Sequence, residues 1–450
     1  MAAEGAKKPT YAWVIAAAGF LTQILASMAV VVWGVNLATV AGDFGVETTS
    51  LAIGASLFGI FYAGTSVFWG NLADRIGLRK VLGIGGLTGA CLIALAGLVP
   101  AGQAGLIAIY ALSGIMLGAI GNGVTPKLIS TWFATHQRGK GFMICILGGS
   151  LAGATTGLIA PIFIGMGGWR FCFEMIGLIG IVCMVAAVIM VRDSPAAVGT
   201  VPLGASKEES GLVDQKAVDK DAQKASNAER IKRVAKNPKT WIMALAVILY
   251  YFYYTGHQTY FVASLIAHGY DLKAASFGST VVLLGCSLGY IVFSPLSDRI
   301  ARKTVLGCLF IGTGIFYGIL YWLLQSADVD ITVIYVIAFF SGLCLGSFAP
   351  IQSTESEMFT PDLRGAGPGF ISSLSLVGRF FGPLLAAAVI STMGGITWGY
   401  MAFAAPCAII AGIIVLIAIP KTSGKWGDPM ADAYNAQKAA QEQEAVSESD

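Results

Sequence analysis

Residues Gly70 to Lys80 read Gly-Asn-Leu-Ala-Asp-Arg-Ile-Gly-Leu-Arg-Lys and form a short charged stretch between two long apolar segments. A related stretch, Ser294 to Lys303, reads Ser-Pro-Leu-Ser-Asp-Arg-Ile-Ala-Arg-Lys, and each copy is followed within two residues by Val-Leu-Gly. The two Asp-Arg pairs begin at positions 74 and 298, which are 224 residues apart. Arg-Gly pairs at positions 138 and 364 keep nearly the same separation, 226 residues. The chain is therefore a tandem duplication of one unit.

The composition excludes a soluble fold. Of the 450 residues, 56% are hydrophobic and 12% are charged, whereas charged residues make up about a quarter of typical soluble domains. A membrane-spanning helix needs about 20 apolar residues, and the chain divides into twelve such stretches. We therefore predict an all-α integral membrane protein with twelve transmembrane helices in two pseudo-symmetric six-helix bundles. The predicted parts are an N-terminal half (1–192), a cytoplasmic linker (193–238), a C-terminal half (239–424) and a cytoplasmic tail (425–450).

Lysine and arginine collect on one side of the predicted spans. The loops on the opposite side hold almost none, only Arg170 and Lys273. Because cytoplasmic loops carry an excess of Lys and Arg, we predict a multi-pass protein of the inner (plasma) membrane with both termini in the cytoplasm. The cations form no basic face for nucleic acid. The predicted partners are the lipid bilayer, a small organic anion, and a proton or counter-anion, and we expect a monomer.

The Gly70 to Lys80 stretch, placed with its second copy between the second and third spans of each half, resembles the signature of the major facilitator superfamily of secondary transporters. The resemblance covers about residues 11 to 420. Two features depart from the family pattern: Leu78 stands where a basic residue is usual, and Ser294 with Ala301 replaces two glycines. The segment from Glu355 to Gly365 is similar to a superfamily loop whose acids and arginines form a cytoplasmic latch. The resemblance implies a gating role for Asp74, Arg75, Arg138, Asp298, Arg299, Glu357 and Arg364.

Shorter motifs resemble two branches of that superfamily. Gly168 to Phe171, Thr131 to Phe133 and Arg192 to Pro195 are similar to segments of bacterial organic-anion symporters and of the monocarboxylate and oxalate/formate branch. The first group usually has an arginine where this chain has Gly34, and the second has one near the position of Tyr290. The resemblance implies a small organic anion as substrate, with a carboxylate and proton coupling as the expectation.

Two cations lie inside predicted spans. Arg379 follows Pro368 by eleven residues, which places it about 16 Å deep, near the middle of a hydrocarbon core about 30 Å thick. A charge at that depth costs at least about 2.5–3.5 kcal/mol on insertion scales, and arginine cannot lose its proton. Lys127 lies about 13 Å from the cytoplasmic end of the fourth span. We predict that the two cations form a pair across a central cavity, unless Lys127 snorkels outward or Arg379 has a structural partner.

Other intramembrane polar residues complete the predicted site. Hydrogen bonds to substrate are predicted from Tyr254, His257, Gln352 and Asn36. The proton-coupling candidates are Glu174 and His257. An i,i+4 ion pair with Arg170 explains Glu174 more simply than proton coupling does, and a structural hydrogen bond is the simpler explanation of His257.

The sequence predicts no enzyme. The three histidines are dispersed, and neither a nucleophile elbow nor a phosphate loop is present. The eight cysteines lack metal-ligand spacing, so we predict no metal and no cofactor. The predicted function is secondary active transport by alternating access. Two alternatives remain: an exporter of apolar cations, in which Glu174 matters more than Arg379, and a non-transporting ligand sensor of the same fold that signals through the linker or tail.

Overall fold

A computed structural model describes residues 10–98, 102–121, 124–134, 138–204, 229–326, 329–360, 363, 366–393 and 395–420. Several predictions fall outside this part of the chain. They concern Arg364, the side chains of Arg138 and Asp298, the middle of the linker, and the tail. Their proposed roles remain predictions.

The described residues are almost entirely helical, as predicted. Twelve long helices follow one another: α1 (Tyr11–Phe44), α2 (Thr48–Ile76), α3 (Leu78–Leu98), α4 (Gln103–Ile120 and Thr125–Trp132), α5 (138–166), α6 (169–190), α7 (Pro238–Ala267), α8 (Leu272–Arg299), α9 (Arg302–Leu323), α10 (Ile331–Glu357), α11 (Ala366–Met393) and α12 (Ile396–Ala418). Ten described segments are long and apolar enough to cross a membrane, and one of them, Lys140–Met190, contains both α5 and α6. With α7, these segments account for the twelve helices that the sequence predicts.

Local sequence explains where several helices begin and end. α5 and α6 separate at Gly168, whose φ of 77° favours glycine. The side chains of Asn237, Asp271 and Asp330 accept backbone N–H groups in the first turns of α7, α8 and α10, at 3.0, 2.6 and 2.7 Å. Hydrogen bonds from Thr332 hold the pKa of the Asp330 carboxyl below its usual range.

The two halves use the same helix pairings. α1 packs on α5, α2 on α4 and α3 on α6, while α7 packs on α11, α8 on α10 and α9 on α12. Glycines permit the close approach: a β-carbon at Gly148 would lie 2.6 Å from the carbonyl oxygen of Phe20, and one at Gly378 would lie 2.5 Å from that of Ile248. Both halves are therefore six-helix bundles of one design, as the duplication predicts.

The halves meet through α1 with α7, α2 with α11, and α5 with α8. The hydroxyl of Thr280 donates to the carbonyl oxygen of Ala154 at 2.7 Å. A β-carbon at Gly34 would lie 2.1 Å from the carbonyl oxygen of Gln258. We call the end of the bundle that holds Gly70 to Lys80 the basic end. These contacts between halves lie from the middle of the bundle toward the other end.

Large apolar side chains cover much of the outer surface. Phe68, Val182 and Ile417 are among those that are more than half exposed. Exposed apolar area on this scale is unfavourable in water. It fits a surface that faces lipid.

Candidate functional site

Arg379 lies where the two halves meet. On α11, its Nη2 donates to the hydroxyl of Tyr251 on α7, and its guanidinium carbon lies 3.8 Å from the centroid of the Tyr251 ring. From the other half, α2 approaches so closely that a β-carbon at Gly59 would lie 3.5 Å from the backbone oxygen of Arg379. The side chain is half-buried. Within the described part of the chain, no carboxylate lies within ion-pair distance of this guanidinium.

Aromatic rings surround this cation. Tyr62 on α2 and Tyr254 on α7 lie close enough to the Arg379 guanidinium to interact with its charge. The ring of Tyr62 stacks on Phe58 with centroids 5.8 Å apart and planes 7° apart, and Phe58 stacks on Tyr110 at 4.5 Å. The arrangement combines a fixed positive charge with flat apolar faces. Such a site suits an anion that carries a ring.

The structure does not form the predicted pair of Lys127 and Arg379. The Lys127 ammonium donates to Asp74 Oδ2 at 2.6 Å and to the carbonyl oxygen of Gly70 at 2.7 Å. Gly70 lies eleven residues beyond Gly59 along α2, or about 16 Å toward the basic end. The flexible stem of lysine carries its charge toward the basic end. This conformation therefore shows the outward-snorkelling alternative for Lys127 and not a pair with Arg379.

Three other predicted substrate residues are dispersed. Asn36 is fully buried inside the first half, where its Nδ2 donates to the carbonyl oxygen of Val32 at 2.8 Å and to Cys172 Sγ at 3.4 Å. Gln352 is exposed on α10, while Tyr254 alone lies beside Arg379. Of these three residues, Tyr254 therefore lies near Arg379, whereas Asn36 faces into its own bundle.

His257 is packed inside the second half. Its ring stacks on Tyr317 with centroids 5.2 Å apart, and its Nδ1 lies 3.5 Å from the Tyr400 hydroxyl. It also lines a cavity of about 10 Å³ between α1, α7 and α8. This volume holds about one water molecule, so in this conformation the cavity is too small for a substrate.

Glu174 does not form the expected pair with Arg170. Arg170 Nη1 binds Asp43 Oδ2 at 2.8 Å instead, and the indole of Trp169 donates to the same oxygen at 2.9 Å. Glu174 packs against Gly97 on α3, where a β-carbon would lie 2.7 Å from its Cγ. The i,i+4 explanation is therefore wrong, and Glu174 lies between helices of the first half, away from the contacts between halves.

Sequence reasoning missed a buried carboxyl group. Glu355 is 1% exposed, and its Oε2 has no hydrogen-bond partner among the described residues. It lies close enough to Tyr251 to interact with the phenol electrostatically. Two residues along an α-helix turn by about 200°, so Glu355 and Glu357 point in nearly opposite directions. That spacing could have shown that one of them faces inward.

The ion pairs at the basic end join groups of the same half, as far as the described residues show. Asp74 binds Lys127, and Arg302 Nε binds Glu357 Oε1 at 2.7 Å. Among the other gating candidates, Arg75 and Arg299 are exposed. The sequence prediction included Glu357 but missed Arg302 as its partner.

Comparison with known proteins identifies the family. Residues 19–279 and 259–442 match the sequence profile of the Major Facilitator Superfamily. The membrane sensor protein UhpC of Salmonella typhimurium is 24% identical over 84% of each chain. The 4-hydroxybenzoate transporter PcaK of Pseudomonas aeruginosa is 23% identical over 90% of this chain and 92% of its own. The niacin transporter NiaP of Acinetobacter baylyi is 23% identical over 80% and 83%.

Solved structures share the fold. A bacterial homologue of the human lysosomal transporter Spinster, in an inward-facing and unoccupied conformation, superposes with a TM-score of 0.68, at 14% identity, over 92% of this chain and 96% of its own. The profile match covers both halves, and it agrees with the duplicated signature and the two equivalent bundles. It indicates a multi-pass membrane transporter and not an enzyme. The chain belongs to the Major Facilitator Superfamily.

Proposed function

We propose that this protein is a secondary transporter of a small organic anion whose carboxylate binds Arg379. One observation carries the proposal: a permanent cation lies between the two halves, with no carboxylate partner in the described residues. Placing a charge in the membrane interior costs free energy, which a favourable interaction must offset. An anionic substrate that forms two parallel hydrogen bonds with the guanidinium would supply that interaction.

The surroundings of Arg379 favour an anion with a ring. Tyr62 brings an aromatic ring near Arg379 from one half, and Tyr254 brings one from the other. Phe58 is buried between Tyr62 and Tyr110 and supports the Tyr62 ring from behind. The names of two relatives, transporters of niacin and of 4-hydroxybenzoate, describe carboxylates on six-membered aromatic rings. The aromatic rings near Arg379 and the names of these two relatives both support aromatic carboxylates as the first compounds to test.

The places where the halves touch support alternating access. The described contacts between halves run from the middle to the end opposite the basic end, and the ion pairs at the basic end stay within one half. With the basic end in the cytoplasm, this conformation is closed outside and inward-facing. Substrate would then exchange with the cytoplasm, and re-pairing of charges between halves would close the basic end.

Glu355 is the proton carrier that best fits this geometry. It is buried and close to Tyr251, which in turn contacts Arg379, so protonation at Glu355 can be linked to the anion site through one phenol. Glu174 has no such link, because it packs on α3. We expect Glu355→Gln to keep exchange of labelled for unlabelled anion at equal pH but to lose accumulation driven by an acid exterior. Glu174→Gln should keep both.

Ligand-induced thermal stabilisation of the purified protein tests the anion site. A ligand at 100 times its dissociation constant stabilises the folded state by about 2.7 kcal/mol. We expect benzoate-type carboxylates to raise the melting temperature of the unmodified protein and of the exposed-site control Lys239→Gln, but not that of Arg379→Gln. Arg379→Lys should respond weakly, because an ammonium lacks the planar fork. Stabilisation by lipophilic cations that survives in Arg379→Gln would instead favour the exporter alternative.

A sensor is the second candidate, because one relative is named a membrane sensor protein. A sensor would bind the anion without moving it. Stabilisation that depends on Arg379, together with an absence of uptake into vesicles, would support the sensor and overturn transport.

A further inference from the structure

Arg379 is the only charged residue that lies deep inside a helix. It is 13 residues after Ala366 and 14 before Met393, the two ends of α11. Every other lysine, arginine, aspartate or glutamate of the twelve helices lies within five residues of an end of its helix. Because the sequence gives the identity of every residue within the helix bounds, this set of charges is complete. The centre of the membrane therefore holds a single permanent charge.

The side chains around Arg379 are phenols. The Tyr251 hydroxyl accepts a hydrogen bond from the guanidinium, and Tyr62 and Tyr254 lie close enough to interact with its charge. Tyr290 on α8 is in turn close enough to interact with Tyr251 and Tyr254. Phenols are uncharged at neutral pH. These groups can donate hydrogen bonds to an anion, but they cannot balance its charge.

Two other basic side chains of the helices are held elsewhere. The Lys127 ammonium binds the Asp74 carboxylate at 2.6 Å and the carbonyl oxygen of Gly70 at 2.7 Å. Its charge is thereby paired, and it lies toward the basic end. His257 is the one histidine within the helix bounds, and its ring is stacked on Tyr317 inside the second half. Neither side chain adds a second cation to the anion site in this conformation.

A carboxyl group lies beside the Tyr251 phenol. Glu355 is 1% exposed and close enough to Tyr251 to interact with it electrostatically. A carboxyl group is either neutral or negative, so it cannot attract a further anion by its charge. A second negative group on a ligand at Arg379 would therefore meet phenols and an acid, with no cation to pair with.

We propose that the protein carries anions with one negative charge and rejects anions of the same shape that have two. The proposal rests on the proposed transport of an anion bound to Arg379. One carboxylate pairs with the guanidinium and balances its charge. A second carboxylate stays hydrated while the basic end is open, but it loses that water when the halves close around the anion. An unpaired charge in the membrane interior is costly enough to reduce transport by roughly 100-fold.

Exchange across proteoliposome membranes tests the proposal with three compounds built on one ring. Vesicles loaded with labelled benzoate are diluted into benzoate, terephthalate or 4-nitrobenzoate at neutral pH on both sides, and protein-free vesicles correct for passive leakage. Terephthalate has a second carboxylate, whereas 4-nitrobenzoate has a planar nitro group of the same shape and no net charge at that position. We expect benzoate and 4-nitrobenzoate to accelerate the efflux of label. Terephthalate should need a roughly 100-fold higher concentration for the same rate.

Three results would overturn the proposal. Equal rates with terephthalate and 4-nitrobenzoate would show that a second charge is tolerated, and loss of the terephthalate rate in Lys127→Gln would identify Lys127 as a second cation that moves into the site. Equally poor exchange of both compounds would mean that the size of the ring substituent decides, and not its charge. An absence of exchange with benzoate itself would overturn the proposed function, and the selection for single charge with it.

Discussion

Replacing Gly34 by alanine should shift the protein away from the conformation described here. Gly34 on α1 faces the backbone of α7, and a β-carbon would lie 2.1 Å from the carbonyl oxygen of Gln258 and 3.5 Å from that of Thr259. Ordinary contact begins at about 3.4 Å, so the helices must separate by roughly 1 Å. Backbone cannot rotate aside as a long side chain can. The added methyl group therefore acts as a wedge between the halves.

The size of the effect follows from the cost of overpacking, which is about 1–3 kcal/mol. In a conformation where the halves part at this end, the methyl group meets lipid or water and that cost vanishes. The ratio of closed to open molecules should fall by about 5- to 150-fold. Gly42→Ala, on the same helix, is the matched control, because a β-carbon there meets nothing within 4 Å.

Spin labels report this shift directly. Cysteines introduced at Glu47 and Lys273, both exposed and located in different halves at the end opposite the basic end, carry the labels in a background without native cysteines. Double electron–electron resonance should show a longer distance component in Gly34→Ala and not in Gly42→Ala. Identical distance distributions in the two variants would refute the reasoning that this contact holds the end closed.

Three further changes test the described geometry. Arg302→Gln should lower the free energy of unfolding by about 3–5 kcal/mol, because it leaves a mostly buried carboxylate unpaired. Arg299→Gln removes an exposed charge nearby and should have little effect; equal melting temperatures of the two variants would contradict this. Gly77→Ala should lower the free energy of unfolding by about 1–3 kcal/mol, because φ is 95° there and a β-carbon would lie 2.8 Å from a carboxylate oxygen. A β-carbon at Gly102 meets open space, so Gly102→Ala should unfold as the unmodified protein does. Tyr251→Phe keeps the ring but removes a charge-assisted hydrogen bond to Arg379 worth about 1.5–3 kcal/mol. Calorimetry should therefore show weaker anion binding, and an unchanged affinity would show that the phenol does not orient the guanidinium.

The architecture could be predicted from the sequence because the length of the apolar segments and the internal repeat are strong signals. Twelve helices, two equivalent bundles and the family all follow from composition and from the repeated Asp-Arg stretch. Arg379 was singled out because arginine keeps its charge at any depth. The structure then adds its phenol partner, which no spacing reveals, because Tyr251 lies 128 residues away in sequence.

The remaining site residues depended on helix rotation, which a sequence does not contain. Asn36 faces α6, because the turn of α1 directs it into its own bundle. Lys127 shows that a long side chain need not stay at the depth of its backbone. Glu355 was overlooked beside Glu357, although the two lie on opposite faces of one helix. The depth of a residue in the membrane follows from counting residues along its helix. The direction of its side chain can be assigned only when the neighbouring helices are known.

The central claim is that Arg379 binds the anion that this protein moves. Uptake of labelled benzoate and nicotinate into proteoliposomes, with an acid exterior, tests it most directly when the unmodified protein, Arg379→Gln and Lys239→Gln are compared at equal protein density. Lys239 is an exposed cation with no proposed role in gating or substrate binding. The account predicts saturable uptake by the unmodified protein and by Lys239→Gln, and background uptake by Arg379→Gln. Uptake that persists in Arg379→Gln would contradict the claim.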